Sequence, residues 1–428
     1  MSWSGTQAGS RPEEQAGLPR LHLAVALEGA GWHPAAWREP DARPDDLLTA
    51  GYWVDLVREA ERGLLDFVTI EDAFTLQSSR PGGPDARTDR VRGRLDATLI
   101  AARVAPKTEH IGLVPTATTT HTEPFHVSKA IATLDYVSTG RAGWHVQLGA
   151  LGGEAGLFGR RSIPRIEVGA AEQPEVREAI ATLLGEAADH VEAVRRLWDS
   201  WEDDAEIRDA ATGRFVDRDK LHYIDFEGPW FSVRGPSITP RPPQGQPVVV
   251  TLAHDAAAYE FAAHSADVVF VTPREAGQIG SIVQEIRDAQ EYAGRGGEPL
   301  HIFADLTVFL DDSDSAAADR KARLDDTDGS RCAADTAVFT GTAGGLADLL
   351  VTWQLAGLTG FRLRPAALPH DLVAISRELV PELQARGAFR WEQPIGTLRE
   401  RLGLERPASR YAVSRDAGRS ALRKHHER

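Results

Sequence analysis

The chain has 428 residues, of which 42% are hydrophobic, with one cysteine and a formal net charge of -15 at pH 7. That length exceeds an average domain but suits an α/β barrel with insertions. The acidic balance argues against a nucleic-acid or anionic-membrane surface, both of which reward clustered Lys and Arg, and leaves a small soluble molecule as the expected ligand.

A lone cysteine, Cys332, excludes an intrachain disulfide framework and any multi-cysteine metal site, which points to a reducing compartment, the cytoplasm. Residues 1–20 are polar with no apolar core, so they read as a disordered leader rather than a signal or an anchor. No segment approaches the roughly eighteen continuous apolar residues of a membrane helix. Residues 21–390 are then expected to form one barrel, and 391–428 a C-terminal tail ending in the basic RKHHER.

His22–Leu27 (HLAVAL) is short and apolar and opens into a Gly/Pro loop, as a first buried strand would. The loop carries Trp32, His33, Trp37 and Arg38 on the face where barrels place their active sites. Thr49–Gly63 reads as a helix and Asp66–Ile70 as the next strand, with Glu71 and Asp72 at its carboxyl end, suited either to a polar ligand edge or to a structural cap. Leu95, Thr98, Leu99 and Ala102 form a helical stripe, and Ile111–Pro115 a third strand that continues into the hydroxyl-rich run Thr116, Thr118, Thr119, Thr120, His121. That run suits hydrogen bonding to a heteroaromatic ring or phosphate, or else a turn in which Thr122 caps the next helix and Pro124 opens it.

Val127, Ala130, Ile131 and Leu134 then build one helical face, which Gly140 stops, and Trp144, Val146 and Leu148 alternate with His145 and Gln147 as a fourth strand. The alternation makes His145 and Gln147 candidates for the barrel interior. Leu151–Arg165 reads as a mobile insertion, Pro174–Trp201 as a long amphipathic helix, and the segment around Gly228 as a hairpin. Strands follow at Pro247–Leu252, Asp267–Val271, Ile302–Leu310 and Phe361–Leu363, with helices from near Asp255, Glu275, Gly344 and His370. Asp311–Thr336, acidic and Ala-rich, is an insertion placed as a lid. The alternation predicts a TIM (β/α)8 barrel with insertions after strands 4 and 7 and a hairpin insertion before strand 5.

The stretch LDYVSTGRAGWHV (134–146) resembles the LD-x-x-S-x-GR-x-x-W-N segment of the luciferase-like flavin monooxygenases, in the branch of the nitrilotriacetate and dibenzothiophene-sulfone enzymes. AWR at 36–38, LWDSW, F-x-VRGP, PRPPQGQPVVV and LRERLGL are similar to that branch and come in the same order. The resemblance implies reduced FMN supplied by a flavin reductase, dioxygen, a small organic substrate and a homodimer. It also implies flavin contacts from Asp72, Thr116, Thr118 and His145, and from a phosphate cradle at His254, Asp255 and Ala256.

This sequence departs from the branch in several places. His145 stands where Asn is usual and Glu71 where the branch has the Ala of an A-D pair, while Ala253, Asp255 and Ala258 replace the Gly, Ser and Gly of G-x-S-x-x-G. A carboxylate facing a phosphate dianion repels it, so coenzyme F420 as cofactor and a flavin-free binding or assembly subunit both stay open. His33, His121 and His145 are the candidate acid/base residues, since imidazole titrates near neutrality. No H-x-H or H-E-x-x-H spacing is present, and no metal site is expected.

Overall fold

A computed structural model describes residues 20–78, 85–149, 152–163, 173–332 and 334–412. Residues 1–19 of the expected leader, part of the 151–165 insertion and the RKHHER end lie outside the described residues. Eight parallel strands form the barrel: β1 (His22–Leu27), β2 (Phe67–Ile70), β3 (Gly112–Thr118), β4 (Gly143–Gln147), β5 (Val248–Leu252), β6 (Val268–Val271), β7 (His301–Leu310) and β8 (Gly360–Pro365). Each pairs with its neighbour in sequence, and β1 pairs with β8, which closes the ring.

The period-2 alternation sorts side chains onto two faces. Leu23, Val25, Val68, Leu113, Trp144, Val249, Val269, Leu306 and Phe361 point outward and join the surrounding helices in one large core. Ala24, Phe67, Val114, Val248, Val250, Val268, Phe270 and Phe303 point inward and make a separate cluster in the lumen. Buried on both faces, the strands read as near-continuous apolar runs, which is why the sequence pattern found all eight.

The lower end of the lumen is plugged. Leu398, Leu402 and Leu404 pack onto the inward cluster; Leu398 opens the helix Leu398–Arg401, which Thr397 and Glu400 cap reciprocally, and the other two follow its end. The barrel floor thus comes from the segment beyond residue 390. Gly140 makes that docking feasible: its φ is +85°, a Cβ there would lie 2.6 Å from Thr397 Cγ2, and its carbonyl accepts from Leu398 N at 2.8 Å. The neighbouring Arg141 is buried and donates to the carbonyls of Ser138, Ile111 and Ala105 and to Thr108 Oγ1. Asp135 accepts from Gln244 N, Gln244 Nε2 and Ala142 N. The LDYVSTGR segment is thus a joint at the stability face of the barrel.

Three expectations change. The helix Ala97–Val104 buries Ala97, Ile100, Ala101 and Val104, while Leu99 is 69% exposed; both stripes have helical spacing, and only packing chooses between them. Asp311–Thr336 contains a regular helix, Asp314–Asp328, capped by Ser313, and leads into a strand, Ala337–Gly341, that runs parallel to Leu306–Leu310 of β7. Before β5 there are two small hairpins rather than one, Glu206–Asp209 with Arg214–Val216 and Phe226–Glu227 with Ser232–Val233.

The floor is testable. Leu402→Ala is expected to cost about 2–5 kcal/mol, the range for a large-to-small change in a filled core, measured as a shift in the urea midpoint.

Candidate active site

The carboxyl ends of the strands carry the chemistry. On β8, GFRLRP places Gly360, Arg362 and Arg364 on the lumen side. Two guanidiniums inside a barrel require counter-charges, and β7 supplies Asp305, in register with Arg362. Arg362 Nε donates to Asp305 Oδ1 at 2.8 Å and Arg364 Nε to Asp305 Oδ2 at 3.0 Å. Arg362 Nη1 reaches Glu71 Oε1 at 3.0 Å, and Glu71 also accepts from Thr69 Oγ1 at 2.8 Å. Arg364 Nη1 extends to Asp335 Oδ1 at 2.6 Å.

Aromatic faces complete the shell, with Arg362 Cζ 4.0 Å from the Phe270 ring centre and Arg364 Cζ 4.3 Å from that of Trp32. Asp305, Arg362 and Arg364 are all buried. Burial alone would raise the Asp305 carboxyl, but the two guanidiniums override it and hold it below the usual range. In Glu71, likewise, Arg362 overrides burial.

His145 stands beside this network on β4. Its Nδ1 shares a 3.0 Å hydrogen bond with Thr116 Oγ1, lies 3.8 Å from Glu71 Oε2, and its ring meets Phe270 edge-on at 5.6 Å. Burial pushes its pKa down to about 4, against the pull of Glu71, so the ring is neutral at pH 7.

The other expected residues take distinct places. His33 is buried, with Nδ1 accepting from Ala35 N at 3.1 Å and Nε2 3.2 Å from Asp325 Oδ1. Both ring nitrogens are engaged, and they tie the β1 loop to the Asp314–Asp328 helix. Asp72 accepts from Ala73 N and Ala97 N, a capping role. Thr119 Oγ1 donates to Gln147 O and Thr120 Oγ1 accepts from Gly149 N, so these hydroxyls pin the ends of β3 and β4 together. Thr118, also buried, faces inward on β3, and its carbonyl accepts from Thr122 Oγ1; Thr122 does not cap the next helix, whose N-cap is Glu123. His254 and Asp255 are 67% and 51% exposed at the side chain, and Asp255 caps the helix Ala256–Ser265 through Ala258 N at 2.9 Å.

His121 differs from the other two histidines. Its Nε2 and the Oε2 of Glu154 are buried and have no hydrogen-bond partner among the described residues. They flank Gly149, where an added Cβ would lie 3.2 Å from the former and 2.4 Å from the latter. Phe158 stacks on His121 at 4.8 Å and Phe74 meets Phe158 edge-on at 4.9 Å. Burial lowers the His121 pKa, helped by Arg161, and burial raises that of Glu154. Two orphaned polar atoms under an aromatic wall form a built contact for a ligand's donor–acceptor group. Among the described residues no cluster of His, Cys, Asp or Glu could hold a metal.

A model of the luciferase-like monooxygenase family matches residues 31–344. The chain belongs to the luciferase-like monooxygenase family. It is 30% identical to N-acetyl-S-(2-succino)cysteine monooxygenase of Bacillus subtilis (strain 168), over 92% of this chain and 98% of that protein. It is 29% identical to nitrilotriacetate monooxygenase component A of Aminobacter aminovorans, with the same coverage. The crystal structure of DmoA from Hyphomicrobium sulfonivorans superposes with a TM-score of 0.77 at 25% identity, covering 90% of this chain and 92% of that one.

The phosphate cradle that the resemblance implies would differ here in charge. Ala253 and Ala258 turn their methyls into the outer core, so neither fills the space at the start of the Ala256–Ser265 helix. The Asp255 carboxylate occupies that start instead. Sequence reasoning missed Asp305, Arg362, Arg364 and Glu154. Part of the signal was available for the arginines, since Arg-x-Arg within a strand puts both side chains on one face.

Two outcomes follow from the network. Asp305→Ala leaves two buried guanidiniums short of a counter-charge and is expected to destabilise by about 3–5 kcal/mol in urea unfolding. His145 has a folded pKa of about 4, below its unfolded value, so the unfolded state takes up the proton first and stability falls as pH drops from about 6.5 to 4. His145→Gln is expected to reduce that slope by up to ~1.4 kcal/mol per pH unit, read from urea unfolding at a series of pH values.

Proposed function

We propose that the chain is the oxygenase of a two-component, flavin-dependent monooxygenase. It takes reduced flavin from a separate reductase, inserts one atom of dioxygen into a small organic substrate, and releases the other as water. The observation that carries this reading is the match to curated monooxygenases over 92% of the chain, together with a buried polar site at the carboxyl ends of the strands, where barrels hold their chemistry.

Reduced FMN is the cofactor that the family resemblance implies, and its two electrons would balance the reaction. The chain's own residues do the rest. The neutral His145 and the paired set of Arg362 and Arg364 with Asp305, Glu71 and Asp335 form a polar lumen wall in which each guanidinium has a carboxylate partner. His121 Nε2 and Glu154 Oε2 orient a polar substrate group and hold or pass a proton there. Phe74 and Phe158 pack as an aromatic wall against His121. Relatives are named for acting on N-acetyl-S-(2-succino)cysteine, nitrilotriacetate and dibenzothiophene sulfone, and we take thioether, amine and sulfone compounds of this size as the substrates to screen. A cytoplasmic homodimer completes the proposal. No described helix is long and apolar enough to cross a membrane.

The test is reconstitution with a flavin reductase, NADH, flavin and isotopically labelled dioxygen. Labelled oxygen is expected in the product, with one NADH consumed per product formed; peroxide release alone with every substrate class would count against the reading. His121→Ala and Glu154→Gln are expected to lower turnover at least tenfold, with the circular dichroism spectrum unchanged.

A further inference from the structure

We infer that this barrel discriminates against the terminal phosphate of FMN and prefers a flavin with an uncharged polyol chain, of the riboflavin type. The inference rests on the flavin reading above and concerns only the end of the cofactor farthest from the ring. The resemblance assigns the phosphate to the start of the helix Ala256–Ser265, just beyond β5. A free helix start is a good phosphate site, because its N–H groups and its positive dipole end both face the anion.

Here the site already contains an anion. Asp255 Oδ1 accepts from Ala258 N at 2.9 Å, and the Asp255 carbonyl accepts from Tyr259 N at 2.9 Å. The carboxylate neutralises the same dipole that a phosphate would use, and a dianion brought to the remaining N–H groups meets a like charge at close range. Among the described residues the only ion-pair partner of Asp255 is His254, with Nε2 3.9 Å away from Oδ2 and both side chains more than half exposed. The loop after β6 carries Arg274, but its Nη1 donates to the carbonyls of Ala334 at 3.1 Å and Thr336 at 2.7 Å. Among the described residues, therefore, no Lys or Arg is ion-paired with Asp255 at the helix start.

Shape does not explain the exclusion. Ala253 is fully buried and Ala258 is 8% exposed, both packed in the core outside the barrel, so the helix start stays open to a neutral chain. Hydroxyls of a polyol can donate to a carboxylate that repels a phosphate. The discriminating feature is a single charge, and one substitution isolates it.

The experiment is a titration of the full-length protein with FMN and with riboflavin, each oxidised and reduced, by fluorescence quenching under anaerobic conditions where needed. Asp255→Asn and Asp255→Ser are run in parallel; both residues remain good N-caps, so the helix keeps its start, and thermal melts confirm the fold. Wild-type protein is expected to bind riboflavin at least tenfold more tightly than FMN, and both variants to gain at least tenfold for FMN with riboflavin unchanged. Equal affinities in the wild type, or an equal gain for both flavins in the variants, overturns the inference and leaves the monooxygenase reading standing. Binding of neither flavin by any of the three proteins removes both.

Discussion

The pairing of Arg362 and Arg364 with one carboxylate, Asp305, governs what this barrel can be. Two guanidiniums in a closed lumen are tolerable only if their counter-charges are built in, because desolvation of an unpaired ion costs several kcal/mol. The structure meets that demand across sheet neighbours, with Asp305 from β7 between them, Glu71 from the end of β2 on one side and Asp335 on the other. Strands β2, β7 and β8 are thereby fixed in register by charge as well as by backbone bonds. The network also divides the lumen in two. Below it lie Phe67, Phe270 and Phe303 with the leucine plug, and above it the mouth is left to loops.

The same division separates stability from chemistry. At the lower end, Asp135, Gly140 and Arg141 serve only to seat the floor and bind chain ends, although theirs is the most recognisable stretch of the sequence. At the upper end, most polar residues are bound to each other: His33 to Asp325, Thr116 to His145, Asp72 to a helix start. Against that background the unpartnered atoms of His121 and Glu154 stand out. A buried polar atom left without a partner carries a free-energy cost, which a ligand's matching group removes.

The departures from the family pattern have different physical consequences. The two alanines in the phosphate segment are benign, since their methyls enlarge the outer core. Asp255 is not, since it changes the charge where the family resemblance expects an anion to bind. Glu71 is explained by what it contacts: with Arg362 in the lumen, a small apolar residue there would leave a guanidinium underpaired.

The sequence by itself determined the eight strands, their parallel order and the barrel, because strands buried on both sides leave long apolar runs and the helices between them keep a 3.6-residue period. It also determined that Asp255 starts a helix, because capping is a local interaction between residues three apart. Only the tertiary structure decided which of two equivalent stripes of the Ala97–Val104 helix is buried, since both have the right spacing. It alone decided that residues beyond 390 close the barrel, since Leu398, Leu402 and Leu404 look like any short amphipathic turn until the lumen they fill exists. The site was divided in the same way. His145 was legible as an interior residue from alternation, but the Arg362–Asp305 pair, 57 residues apart, and the meeting of His121 with Glu154 over Gly149 depend on contacts between distant segments, which no local pattern encodes.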